Sequence, residues 1–149
     1  MSFRNVKQID VCGVVLPNVP LSNIQLLEAA KKLLYSTNFR GVFLRDELPD
    51  RPKANECGIL NLDDSNGSGT HWVCWKIENY RNEISAKYFD GYGLPPPTEL
   101  LKYLNKIQLY YNSERIQPDN EVFCGHLCLY VLKMMDDGAN FQEVINGLF

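Results

Sequence analysis

Apolar residues in "PLSNIQLLEAAKKLLYS" recur at helical spacing: Ile24, Leu27, Ala30 and Leu34 share one stripe, widened by Leu26 and Leu33. Ser22 and Gln25 stand ahead of it in capping-box spacing, so the pattern predicts a helix with its apolar face in a core. The period is then lost. "FRGVFLRDELPDRP" reads as a loop region punctuated by Arg40-Gly41 and by Pro49 to Pro52, with Val42, Phe43 and Leu44 as a short apolar patch, either a strand or a substrate-facing lip.

Shorter apolar runs follow. "CGILNL" (57–62) predicts a strand and "DDSNGSG" (63–69) a turn-rich loop. "THWVCWKI" and "ISAKYFD", joined by "ENYRNE", predict an antiparallel hairpin whose second strand ends at Asp90. "GYGLPPP" excludes regular structure, Thr98 is placed to cap a short helix through "ELLKYLNK", and "IQLYY" (Ile107 to Tyr111) predicts another strand. "SERIQPDNEVF" is polar and holds Pro118, hence a loop; "CGHLCLYVLKMMDDG" predicts a buried helix ending near Gly138, and "NFQEVINGLF" a last short one. Together these elements predict an α+β fold: a central mixed or antiparallel sheet with helices packed against it, in a single domain over residues 1–149.

Composition narrows the field. A hydrophobic fraction of 45% with 11% aromatic residues supports a packed core rather than disorder. No run approaches the roughly 18 to 20 apolar residues of a membrane span, and the first residues lack the basic start and apolar block of a secretory signal. A formal net charge of -3 gives no general attraction to nucleic acid, which leaves protein or peptide as the expected partner. The five cysteines, Cys12, Cys57, Cys74, Cys124 and Cys128, are odd in number and lack CxxC pairing, so they are expected to be reduced thiols. With His71 and His126 as the two histidines, a zinc site is not expected. Cys12 falls in an opening stretch with no predicted element.

One cysteine stands apart. In "QPDNEVFCGHLCLYV", Cys124 opens the buried helix, where unpaired N–H groups and the positive helix end favour thiolate. A nucleophilic thiol needs a base, an acceptor that orients the base, and donors for the oxyanion formed on the attacked carbonyl. Pairing the hairpin symmetrically about a turn at Tyr80 and Arg81 sets His71 directly across from Asp90, on the same face and within hydrogen-bond reach. A slip of one residue would separate them. Gly125 leaves room beside the thiol for a substrate backbone. The Cys124 N–H and the side-chain amide of Gln117, held extended by Pro118, are the candidate oxyanion donors. Taken singly, each feature has a bland reading as a core thiol, a satisfied histidine or a turn cap. His126, two residues past Cys124, lies roughly 200° around the helix and points away from the sulfur.

In this order the motifs resemble the cysteine proteases of the adenovirus-protease (adenain) type, in the clan shared with the SUMO-specific proteases. "GTHWVCW" is similar to that family's histidine segment, "YFDGYG" to its acidic strand end, and "QPDNEVFCGHLC" to its oxyanion glutamine, six-residue gap and Cys-Gly at a helix start. The resemblance spans Gly69 to Cys128, with "ECGILNL" similar to the preceding strand. It implies an adenain-like fold with the nucleophile at the N-terminus of a buried helix, Cys124 as nucleophile, His71 as base, Asp90 as orienting acid, and Gln117 with the Cys124 backbone as oxyanion hole. Trp72 and Gly125 would line the substrate groove. It further implies cleavage at Gly-Gly or Gly-x-Gly sites.

Viral members of that clan mature capsid and core precursors inside the host cell, cytoplasm or nucleus, or in the virion, and some need an activating peptide. Adenovirus enzymes generally carry Glu where this chain has Asp90, as the SUMO-protease side does. The acidic balance and shorter length argue against DNA stimulation and suit a compact relative from another large DNA virus or a virus-derived element. No metal or cofactor is expected. Two alternatives stand beside a capsid-maturing endopeptidase: a deconjugating isopeptidase for a ubiquitin-like modifier, and a non-catalytic peptide-binding module on the same fold.

Overall fold

Every residue of Glu56–Asn61 is buried, as are the first six of Trp72–Tyr80, so these two strands need cover on both faces. The chain supplies it. A computed structural model describes residues 7–63, 71–116 and 123–148, in the order β1 (Gln8–Val11), β2 (Val14–Pro17), α1 (Asn23–Leu33), β3 (Asn38–Leu44), β4 (Glu56–Asn61), β5 (Trp72–Tyr80), β6 (Glu83–Phe89), α2 (Thr98–Leu104), β7 (Gln108–Tyr111), α3 (Cys124–Asp136) and α4 (Phe141–Asn146). Among the described residues no helix is long and apolar enough to cross a membrane.

The main sheet runs β3-β4-β5-β6-β7 and is mixed: the inner pairs are antiparallel, while β3 joins β4 and β7 joins β6 in parallel. Alternate residues of the central strands feed two cores. Cys57, Ile59, Trp72, Cys74 and Phe89 pack with α1, α3 and α4, whereas Leu60, Val73, Trp75, Ile77 and Tyr88 pack with Leu100, Tyr103 and Leu104 of α2. Helix α3 is buried along nearly its whole circumference, which explains why apolar residues fall on every side of it.

Several expectations change here. The opening stretch forms the β1–β2 hairpin, with Cys12 and Gly13 both at positive φ in its two-residue turn and Asp10 accepting from the Gly13 N–H at 2.7 Å. Residues 38–44, read as loop with a short apolar patch, form the edge strand β3, whose pairing shifts between Phe39 and Val42. The capping box of α1 is formed in both directions by Ser22 and Gln25. At α2, by contrast, Thr98 is the first helical residue and no side chain caps the helix. Pro97 sits at the N-cap instead, and the Thr98 hydroxyl donates to Glu99.

Two buried carboxylates pin the frame. Glu56 accepts from Arg40 Nη1 at 2.8 Å, Trp75 Nε1 at 2.9 Å, the Tyr103 hydroxyl at 2.7 Å and the Lys53 N–H, tying β3, β4, β5 and α2 together. Asp136, the last residue of α3, accepts from the N–H groups of Tyr35, Ser36 and Thr37 and from the Thr37 hydroxyl, which fixes the link from α1 to β3. Burial opposes its ionisation, but these donors win and hold the carboxyl below its ordinary value.

Candidate active site

The β5–β6 hairpin turns through Arg81 and Asn82, both at positive φ, and pairs Cys74 with Phe89 and Tyr80 with Glu83. Left-handed φ at both central residues matches the right-handed twist of the flanking strands. The register therefore differs by two positions from the one centred on Tyr80 and Arg81. Because strand side chains alternate with a period of two, His71 and Asp90 keep a common face and become diagonal neighbours rather than direct partners. Continued past the strand ends, this register sets Tyr92 across from His71. The two rings indeed stack, with centroids 4.3 Å apart and an interplanar angle of 16°.

His71 stands just before β5 and Asp90 just after β6, both buried, with His71 Nε2 2.7 Å from Asp90 Oδ1. The same Oδ1 accepts from the Tyr92 N–H at 2.8 Å, while Oδ2 finds no partner among the described residues. Cys124 is the first residue of α3, follows Phe123 at the N-cap, and no side chain caps the helix start. Burial lowers the His71 pKa, but hydrogen bonds to Asp90 and to Cys124, with the charges of both, carry it up to about 9. With Nε2 committed to Asp90, Nδ1 is the ring nitrogen left to face Cys124. A protonated imidazole paired to a carboxylate is the general-acid partner that a cysteine nucleophile requires.

The remaining predicted residues behave differently. Gln117 lies outside the described residues. Trp72, expected in a groove, is buried in the core and donates its indole N–H to Leu21 O at 2.9 Å. A Cβ on Gly125 would lie 3.1 Å from Leu26 and 3.4 Å from both Leu21 and Trp72. The missing side chain thus lets α3 close onto α1 and Trp72, a packing reason in place of the expected room for substrate. His126 turns away, as its angle on the helix predicts, with Nε2 2.8 Å from Pro17 O; burial pushes its pKa down.

Two neighbours escaped the sequence reading. Tyr92 lay inside the quoted "YFDGYG" segment, but its stacking depends on the register. Asn112, buried just beyond β7, accepts from the Asp90 N–H at 3.1 Å and donates to Asp90 O at 2.7 Å and Glu114 O at 3.2 Å. An isolated Asn after a strand reads as a turn residue, so nothing in the sequence marked it.

No protein-family model matches the chain. It is 21% identical over 100 residues to the SUMO-1 cysteine protease S273R of African swine fever virus, a match covering 60% of this chain and 37% of the viral protein. The cysteine protease S273R of the Badajoz strain of that virus gives the same identity and coverage. The chain thus spans little more than a third of the length of the curated relatives it matches. Among solved structures, the crystal structure of the African swine fever virus pS273R protease superposes with a TM-score of 0.60 at 17% identity, covering 86% of this chain and 61% of that one. These relatives are named cysteine proteases, and the chain has their SUMO-protease-like cysteine protease fold at low sequence identity.

Proposed function

We propose that residues 1–149 form one catalytic unit, a cysteine endopeptidase that cuts protein substrates at Gly-Gly or Gly-x-Gly sites. The observation that carries the reading is the His71 imidazole bonded at 2.7 Å to the buried Asp90 carboxylate, with Cys124, at the start of α3, near enough to raise its pKa. In this reading the Cys124 thiolate attacks the scissile carbonyl carbon, and the oxyanion is met by the Cys124 N–H and the Gln117 amide. The His71 imidazolium gives its proton to the departing amine, leaving a thioester. Water then attacks the thioester with neutral His71 taking its proton, and Cys124 leaves as thiolate. Asp90 holds the ring orientation through both steps without itself taking the proton.

The preference for glycine rests on the clan resemblance, as does maturation of viral or virus-derived capsid precursors, in the host cell or virion, with a peptide activator. The viral source of the relatives supports the maturation role. A second reading is favoured by the name of one relative, SUMO-1 cysteine protease: a deconjugating enzyme with the same Gly-Gly chemistry on a ubiquitin-like modifier.

Fluorogenic peptides with Leu-x-Gly-Gly and Leu-x-Gly-x-Gly cores, assayed beside ubiquitin-like fusions, separate the readings. Peptide cleavage abolished by Cys124→Ala supports the endopeptidase; turnover of the fusions alone moves the assignment to deconjugation. If nothing is cut and Cys124 alkylates no faster than the exposed Cys12, the chain is a binding module.

A further inference from the structure

We infer that Asn112 is a positioning residue for the Asp90–His71 pair. The inference rests on the peptidase reading above and adds to it the group that aims the acid. Asp90 lies one residue beyond β6, and the β6–β7 ladder ends at the pair Tyr88 and Tyr111. On its β7 side the backbone of Asp90 thus has no strand beside it to fix its direction. The Asn112 side chain fills that place. Its planar amide accepts from the Asp90 N–H at 3.1 Å and donates to the Asp90 carbonyl at 2.7 Å, so one rigid group holds both polar ends of the residue.

Its second N–H reaches Glu114 O at 3.2 Å, which folds the chain after β7 back onto the turn after β6. Two further contacts close that strap. The Ile116 N–H donates to Gly91 O at 2.8 Å, and Gly93, at φ 71°, lies so close to Ser113 O and Glu114 that a Cβ would collide with both. Asp90 is consequently clamped from the side opposite His71. Its Oδ1 meets the ring nitrogen at 2.7 Å because its Cα has little freedom left. An orienting carboxylate works through aim, and a displacement of about 1 Å near reacting groups can reduce rates by about a hundredfold.

The test uses the iodoacetamide reaction of Cys124, followed by mass spectrometry, in the native protein, Asn112→Ala, Asp90→Ala and the double variant. Near pH 7, Asn112→Ala is expected to react about tenfold more slowly than the native protein, and near pH 10, where thiols ionise unaided, at the native rate. Added to Asp90→Ala, it should cause no further loss, because its effect travels through Asp90. A purely structural asparagine would lower the melting temperature yet leave the pH profile unchanged, or slow both backgrounds equally. Either result, or a native rate near pH 7, overturns the inference. Should Asn112→Ala fail to fold, Asn112→Ser, which keeps one hydrogen bond at a time, is expected to fall between the native and Asp90→Ala rates near pH 7, and a native rate for it is equally fatal. A native Cys124 no faster than Cys12 overturns the peptidase reading and this inference with it; a fast, His71-dependent Cys124 indifferent to Asn112 overturns the inference alone.

Discussion

Replacing Asp90 with Asn keeps the size of the side chain and an oxygen for His71 Nε2 and the Tyr92 N–H, and removes the charge. Burial by itself pulls the imidazole down, and the hydrogen bond to the Asp90 carboxylate, together with its charge, helps to keep His71 protonated. Lifting an imidazole from 6.5 to about 9 corresponds to about 3 kcal/mol in favour of the charged ring, roughly 300-fold, net of the opposing burial. Cys124 supplies part of this, so Asp90→Asn is expected to slow iodoacetamide alkylation of Cys124 near pH 7 by about ten- to a hundredfold. The direction with pH follows from the raised value: the imidazolium persists through neutrality and is lost as pH rises through about 9. Near pH 10 the ring is neutral in either protein and thiols ionise unaided, so the two rates should converge. Equal rates near pH 7 in a folded variant would refute the ion-pair reasoning. A deficit that persists near pH 10 would refute it too, since lost access rather than lost charge would then be the cause.

Two stability predictions follow from the frame. Asp136→Asn turns an NH2 toward the N–H groups of Tyr35, Ser36 and Thr37 and should destabilise the protein by about 2–4 kcal/mol in urea unfolding near neutral pH. Because the folded carboxyl is held below its ordinary value of 3.8, this stabilisation is present above that pH and is lost as pH falls through the folded value; the gap between the two proteins must narrow in acid. A gap that stays constant into strong acid contradicts the assignment. Gly58→Ala drives a methyl into the ring of Trp75, whose indole is already fixed by Glu56, and should lower stability by about 1–3 kcal/mol with a change in tryptophan fluorescence. An unchanged melting temperature would show that the ring has room to move.

What the sequence revealed of the fold tracks how each element is buried. Helix α1 announces itself because one face is core and its cap is formed by its own side chains, Ser22 and Gln25. Strand β3 does not, because it is a parallel edge strand, half-buried along nearly its whole length, with an irregular register and Gly41 at positive φ; no two-residue alternation is left to read. The β1–β2 hairpin lies between these two cases. Ile9, Val11 and Leu16 alternate around a two-residue Cys-Gly turn, but strands of four residues carry too few positions to stand out against a loop.

The site shows where such reasoning holds and where it fails. Residue types and their order point to a cysteine, a histidine and an aspartate; only the hairpin register brings the last two together, and it differs by two positions from symmetric pairing about Tyr80 and Arg81. The pair survived because an even slip preserves the face. An odd slip would have parted the imidazole and the carboxylate. What the even slip changed is everything around them: Tyr92 moved into stacking distance of His71, and Asp90 moved from the ladder to one step beyond its end. A residue one step beyond a ladder needs another partner for its backbone, and here that partner is the side chain of Asn112. The chemistry-bearing residue types are therefore legible one by one in the sequence, whereas the groups that aim them follow from the exact pairing of two strands.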